Sequence, residues 1–250
     1  YAPSDIPSLI LKYNLYGMEI DERAASLAAF ALTMKARSRS RRFFKKQVEP
    51  NIQRIAPIAF KEDEVVELND LYQVNLDSTV WNTYAKADVY GSLIQPPQEL
   101  VDLASSAEDT EAETTLFDSL RECAEEIFAQ TRYLARKYTA VVANPPYMGA
   151  KNMSAELKQF VQDRYEDGKA DLFAAFIMRN RQFLRHNAML GMITMQSWMF
   201  LSSFEDLRRN LLASSAIETM SHLGAGAFDS IGGEVVSTNA FTLKNSPNSG

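Results

Sequence analysis

The chain has 250 residues, 46% of them apolar and 23% charged, which suits one large α/β domain or two small ones. No apolar run approaches the roughly 18 residues that a membrane span needs, and the lone Cys123 excludes an internal disulfide framework and fits a reducing, cytoplasmic setting. The net charge of −6 argues against a surface built all round to grip nucleic acid.

Residues 15–20 read as a strand. Asp21 then suits an N-cap, and Ala24, Ala25, Leu27, Ala28, Ala31, Leu32 and Met34 give a helix to residue 35 whose small apolar face is expected to pack on a sheet. Lys35, Arg37, Arg39, Arg41, Arg42, Lys45 and Lys46 follow within twelve positions, as a solvated helix end or a phosphate contact would have them. Pro50 opens a strand through Ile52 and Ile55, and residues 61–86 are polar without a clear period. Residues 98–106 read as a short helix and 114–137 as a long one. The β-branched run 138–143 reads as a buried strand. Then come a loop and helix over 151–169, a helix over 171–185, a strand over 189–195 and a helix over 204–212. Residues 217–223 and 235–243 are two late strands with no helix between them, which indicates a hairpin edge. Strands alternating with helices predict an α/β fold with a parallel-rich, doubly wound sheet.

The chemistry concentrates at the end of the 138–143 strand, where Asn144-Pro145-Pro146-Tyr147 follows. The carboxyl ends of strands are where open α/β sheets bind ligands. An exocyclic or amide NH2 is a poor nucleophile because its lone pair is delocalised. The Asn144 side-chain oxygen and the Pro145 carbonyl can each accept one N–H and so aim that lone pair at a methyl donor. Prolines fix φ and hold the carbonyl in place, and Tyr147 can stack on a planar base. Read without that context, the same residues are a strand followed by an Asn-Pro turn. His186 and His222 lack metal-ligand spacing, so no metal is expected.

With Leu15 to Asp21, Gly91 to Ile94, Asn144 to Gly149, Ala170 to Phe173, Gln196 to Leu201 and Gly232 to Thr238 in this order, the chain resembles the N6-adenine DNA methyltransferases that use S-adenosylmethionine. The resemblance is to the PglX type of BREX phage-defence systems, related to single-chain restriction-modification enzymes. It implies a Rossmann-like methyltransferase domain over residues 1–250, mostly parallel with an antiparallel hairpin edge, and a helical insertion over 61–137. The first strand and its glycine-rich cofactor loop are then expected before Tyr1 and the target-recognition region after Gly250. On that expectation the 250 residues alone are unstable, or fill the gap with another chain, and are inactive. The resemblance further implies double-stranded DNA as substrate, with a flipped adenine, and other defence-system proteins as partners. Glu19 matches the ribose ligand, Ser92 lies at the cofactor's adenine contact, and Asp171 and Phe173 belong to the segment that lines the adenine pocket. Tyr147 forms one face of the target-base sandwich and Phe241 the other. Trp198 is expected to pack against the loop.

Two other functions suit the same residues. A glutamine N5-methyltransferase acting on a protein presents the same NH2 chemistry, and a non-catalytic methyltransferase-like subunit would only bind DNA or partners in a defence complex.

Overall fold

A computed structural model describes residues 1–107, 118–224 and 237–246, and the chain, read from sequence as one domain, divides into two units, Tyr1–Ala135 and Arg136–Gly250. In the first, α1 (Ile6–Tyr13) leads into β1 (Tyr16–Glu19), which pairs in parallel with β2 (Asn51–Arg54) so that Glu19 lies opposite Arg54. The strands are joined through α2 (Glu22–Arg39). Asp21, in extended backbone, caps α2 by accepting the Ala24 N–H at 2.8 Å, the local reason the chain turns from strand to helix there. The Asn51 amide donates to the carbonyls of Leu11 at 2.7 Å and Leu15 at 3.0 Å, tying the end of α1 and the entry to β1 onto β2.

The remaining described elements of this unit are helical and include α3 (Glu62–Tyr72), the single turns α4 (Ser78–Trp81) and α5 (Ala87–Tyr90), α6 (Gln98–Ser106) and α7 (Asp118–Ala135). They surround an aromatic core in which the Phe128 ring meets Tyr72 at 5.1 Å and Trp81 at 6.1 Å between centroids. Several of its polar atoms are paired, though the Tyr72 hydroxyl and Gln130 Nε2 are buried without a hydrogen-bond partner among the described residues. Trp81 Nε1 donates to Asn69 Oδ1 at 2.9 Å, the Tyr84 hydroxyl bonds Thr131 Oγ1 at 2.9 Å, and Gln130 Oε1 accepts the Ala56 N–H at 3.0 Å. The polar stretch 61–86 thus carries helices that its weak periodicity does not announce.

One expectation fails here. The apolar face of α2 is open: Leu27 is 67% and Phe30 61% exposed, Met34 is exposed, and only Ala36 of the helix is buried. An 18-residue helix is about 27 Å long, whereas strands of four residues span about 13 Å, so the β1–β2 pair cannot cover it.

The second unit holds β3 (Tyr138–Ala143), α8 (Ala155–Arg164), α9 (Leu172–Gln182), β4 (Leu184–Met195), α10 (Glu205–Ser214), β5 (Ala216–Gly224) and β6 (Thr238–Lys244). The sheet order is β3-β4-β6-β5, with β3 parallel to β4 and β6 antiparallel to both its neighbours. The α/β class and the antiparallel hairpin edge are therefore as expected, with β6 inside and β5 outermost. Residues 235 and 236 of the expected last strand lie outside the described residues.

Side-chain alternation sets the two faces of this sheet. Leu190, Met192, Phe241 and Leu243 point to one face and are buried with Phe173 and Ile177 of α9 and Leu207 and Leu211 of α10. The other face is open. Val142, opposite Gly191, is 85% exposed, and small residues including Ala240, Thr242 and Ser221 line a shallow depression there. The β3 run is thus covered on one side only and pairs with β4 alone, rather than being buried as its apolar character suggested.

Candidate active site

β3 delivers Asn144 at its carboxyl end. Ala143 is the last paired residue, opposite Met192, and the chain then leaves the sheet as Asn144-Pro145-Pro146-Tyr147 with no cis peptide bond. Asn144 is exposed and its carboxamide makes no hydrogen bond among the described residues; Pro145 is buried beneath it. The solvent-facing amide therefore has spare acceptor capacity at the strand end.

Tyr147 is half-buried. Its ring meets the Phe173 ring edge-on, 6.2 Å between centroids and 86° between planes, and its hydroxyl reaches the Ile193 carbonyl of β4 at 3.4 Å. Burial pushes its phenol pKa upward. Phe173 is 0% exposed and also touches Phe204 at 5.7 Å. The ring therefore presents no free face to the cofactor's adenine, the contact expected of it. The ring lies instead in the core under Tyr147.

The segment after Tyr147 is tied to the start of α9. Asp171 caps α9, its Oδ1 accepting the N–H of Phe173 at 3.3 Å and that of Met148 at 3.0 Å. Leu172 N–H returns a bond to the Met148 carbonyl at 3.0 Å, and Ala150 N–H donates to the Ala170 carbonyl at 3.0 Å. Burial raises the Asp171 carboxyl pKa above its ordinary value, and the backbone donors offset part of the rise.

At the carboxyl end of β4 lies a buried polar network that periodicity does not reveal. Trp198 Nε1 donates to Thr194 Oγ1 at 3.1 Å, and that hydroxyl donates to Asn239 Oδ1 of β6 at 3.0 Å. Asn239 Nδ2 in turn points at the Met199 sulfur, 3.5 Å away. Trp198 packs edge to face with Phe241 of β6 at 5.2 Å, rather than only against the loop. Phe241 is 2% exposed, because its position in β6 faces the helices, so it offers no free ring face to a base. At the rim, His222 of β5 bonds Gln196 through Nε2 and Oε1. The only sequence signal for the network is the polar pair Thr194 and Asn239 inside otherwise apolar strands.

The cofactor candidates Glu19 and Ser92 belong to the first unit. Glu19 ends β1, and its Oε1 accepts the N–H groups of Ile20 at 2.8 Å and Asp21 at 3.1 Å. That fixes the carboxylate while Oε2 has no partner among the described residues. The half-buried Ser92 sits in a 3-10 turn, Gly91–Leu93, which packs on the end of β1. A Cβ on Gly91 would fall 2.8 Å from Ile20 Cγ2, and its φ of +51° is one that only glycine adopts freely. The structure therefore brings the Glu19 and Ser92 segments together. Of the basic cluster, Lys46 pairs with Asp5 and Arg37 lies over the Phe44 ring at 5.8 Å. Lys35, Arg39, Arg41, Arg42 and Lys45 are exposed without an acidic partner among the described residues. Among the described residues no helix is long and apolar enough to cross a membrane.

The chain is similar to known proteins. The chain is 38% identical over 283 aligned positions to the adenine-specific methyltransferase BrxX of Escherichia coli O9:H4 (strain HS), an alignment covering 98% of this chain and 23% of that protein. It is 34% identical to the adenine-specific methyltransferase PglX of Lacticaseibacillus casei (strain Zhang), covering 98% of this chain and 21% of the relative. A nuclease-deletion mutant of the Type ISP restriction-modification enzyme LlaGI, solved in complex with a DNA substrate mimic, aligns with 99% of this chain and 22% of its own at 15% identity and a TM-score of 0.44. The chain thus spans less than a quarter of the length of the curated relatives it matches. Residues 13–228 match the Eco57I restriction-modification methylase family. With that match over most of its length and the Asn-Pro-Pro-Tyr turn in place at a strand end, the chain belongs to the Eco57I restriction-modification methylase family.

Proposed function

We propose that this chain forms part of the catalytic domain of a site-specific, adenine-specific DNA methyltransferase acting on adenine N6 in duplex DNA, in a cytoplasmic phage-defence or restriction-modification system. The observation that carries the reading is the exposed, unpaired Asn144 carboxamide next to the fixed Pro145 carbonyl at the carboxyl end of β3. That the two relatives named above are adenine-specific methyltransferases supports it.

Adenine N6 has its lone pair delocalised into the ring. Two acceptors that each take one of its hydrogens pull the nitrogen toward tetrahedral geometry and free the lone pair. As positive charge develops on nitrogen, the same two dipoles stabilise it, a preorganised electrostatic contribution. Tyr147, supported by Phe173 and by its bond to Ile193, presents a ring against which a flipped base stacks. The methylated amino group is then acidic enough to lose its proton to water, so no side-chain base is needed.

The methyl group comes from S-adenosylmethionine, whose sulfonium supplies the electrophilic carbon when bound. The donor set of the first unit fits its ribose. The Glu19 carboxylate is held at the end of β1 with one oxygen satisfied by its own turn and the other open to a hydroxyl, as acidic residues at the second strand of nucleotide-binding α/β units commonly are. Ser92 flanks it. Double-stranded DNA is the partner this reading requires, and further defence proteins are candidates.

The test is Asn144→Ala in the full-length protein. Losing one preorganised acceptor should cost about 3 kcal/mol, or ~100-fold in the rate of N6-methyladenine formation, with S-adenosylmethionine affinity nearly unchanged. Near-normal DNA methylation by this variant would remove the assignment. Methyl incorporation into a glutamine-bearing protein, and not into DNA, would redirect it to amide chemistry.

A further inference from the structure

Asp171 lies in the segment that the family resemblance places at the cofactor, yet its bonds run elsewhere. A single oxygen, Oδ1, accepts from Phe173 N at the first turn of α9 and from Met148 N, the residue directly after Tyr147. Around it, Leu172 N–H bonds the Met148 carbonyl at 3.0 Å, Ala150 N–H bonds the Ala170 carbonyl at 3.0 Å, and Gly149 bridges Asp171 in antiparallel fashion. Gly149 is close as well: a Cβ there would lie 3.7 Å from Asp171 Oδ2.

We infer that Asp171 is a positioning residue for the Asn144–Tyr147 turn, joining that turn to the start of α9 through its carboxylate, and not a ligand of the cofactor. The turn has two anchors. On its amino side, Ala143 is locked in the sheet opposite Met192. On its carboxyl side, only the isolated Gly149–Asp171 bridge and its backbone bonds hold it, and the Asp171 carboxylate adds the bond to the Met148 N–H that ties the turn itself to α9. Between them stand two prolines, which pass a displacement at Met148 back to Asn144 with little slack, because their φ angles are fixed. The same α9 turn carries Phe173, the ring beneath Tyr147. One carboxylate therefore sets the height of the acceptor amide and of the stacking ring together.

The inference rests on the methyl-transfer reading above, and its test separates the two. In the full-length protein, Asp171→Ala should lower kcat for DNA methylation by ~100-fold, the scale of an ångström-level misplacement, while leaving the S-adenosylmethionine Kd within about twofold of wild type. Hydrogen exchange should show loss of protection at the Met148 amide. Asp171→Asn, whose amide oxygen can accept the same two bonds, should restore kcat to within about threefold. Asp171→Ser provides a folded control: serine caps helices well but is one bond too short to hold both N–H groups, so it should keep α9 protected and still lose kcat. A Kd for the cofactor weakened about tenfold in Asp171→Ala, with kcat at saturation retained, would make Asp171 a cofactor ligand and overturn the inference. So would a wild-type kcat in the alanine variant, or an asparagine variant as slow as alanine with Met148 still protected. If the wild-type protein methylates no DNA, the functional reading fails, and exchange at Met148 in the same variants still decides whether the carboxylate holds the turn.

Discussion

Replacing Thr194 by valine exchanges a hydroxyl for a methyl of nearly the same volume, so its effect isolates one oxygen atom. That oxygen takes the indole N–H of Trp198 at 3.1 Å and donates to Asn239 Oδ1 at 3.0 Å. Thr194 and Asn239 are fully buried and Trp198 nearly so, which leaves no water to replace it. The valine therefore strands one buried donor and one buried acceptor. At about 1–3 kcal/mol for each group left unpaired, and with some relaxation of the turn, the cost should be about 2–4 kcal/mol. The loss should be local, in the 3-10 turn Gln196–Met199 that Trp198 anchors. Native-state hydrogen exchange on the full-length protein reads it directly: the amides of Phe200 and Leu201, both bonded to the Ser197 carbonyl, should lose protection by ~30- to 1,000-fold, since each tenfold is 1.4 kcal/mol. Thr194→Ser keeps the hydroxyl and removes one methyl, so it should cost about 1 kcal/mol. Equal protection in the valine variant and wild type would show that the network holds nothing in place.

Three further outcomes follow from the site. Glu19→Ala should weaken S-adenosylmethionine binding by about 1.5–3 kcal/mol, the worth of charge-assisted hydrogen bonds, with DNA affinity unchanged; calorimetry showing no loss would leave Glu19 as a turn-forming carboxylate only. Tyr147→Ala should cost about 1–3 kcal/mol of base stacking, read as reduced quenching of 2-aminopurine at the target position, whereas Tyr147→Phe should cost under about 1 kcal/mol because its hydroxyl bond is long at 3.4 Å. The raised pKa of Asp171 makes stability depend on pH. Its folded value lies above the ordinary 3.8, so its contribution is fully present below 3.8 and is lost as pH rises through the folded value. Asp171→Asn should remove that slope, and its stability relative to wild type should climb across that window and then level off; a flat difference would mean the carboxyl titrates normally.

Much of this was legible in residue order. Asp21 ahead of an alanine-rich run marks the β1–α2 junction because a side-chain acceptor in extended backbone needs only local geometry. The Asn144 turn is equally local. What could not be read is set by partners distant in sequence. Phe173 and Phe241 have the aromatic character of pocket residues, and only the packing of α9 on the sheet and the alternation along β6 turn both rings inward. Leu27 and Phe30 show the reverse, an apolar face that no element among the described residues of its unit covers. β4 begins at Leu184, earlier than its apolar run, because Leu184 pairs with Tyr138 ahead of an irregular stretch in which Asn187 takes a positive φ, and regular pairing resumes at Met189.

The place of β6 inside the sheet has a consequence for synthesis. Thr194 and Asn239 are 45 residues apart, and translation at about 5–20 residues per second puts roughly 2–9 s between them. Through that interval β4 can join β3 on one side but has a bare edge on the other, and the Trp198 indole has only half its network. An unpaired apolar edge invites pairing with another chain, so on a ribosome this edge of β4 is the last part of the sheet to become safe from aggregation. A slow codon run before residue 238 would prolong that exposure, and one just after residue 246 would give the sheet time to close.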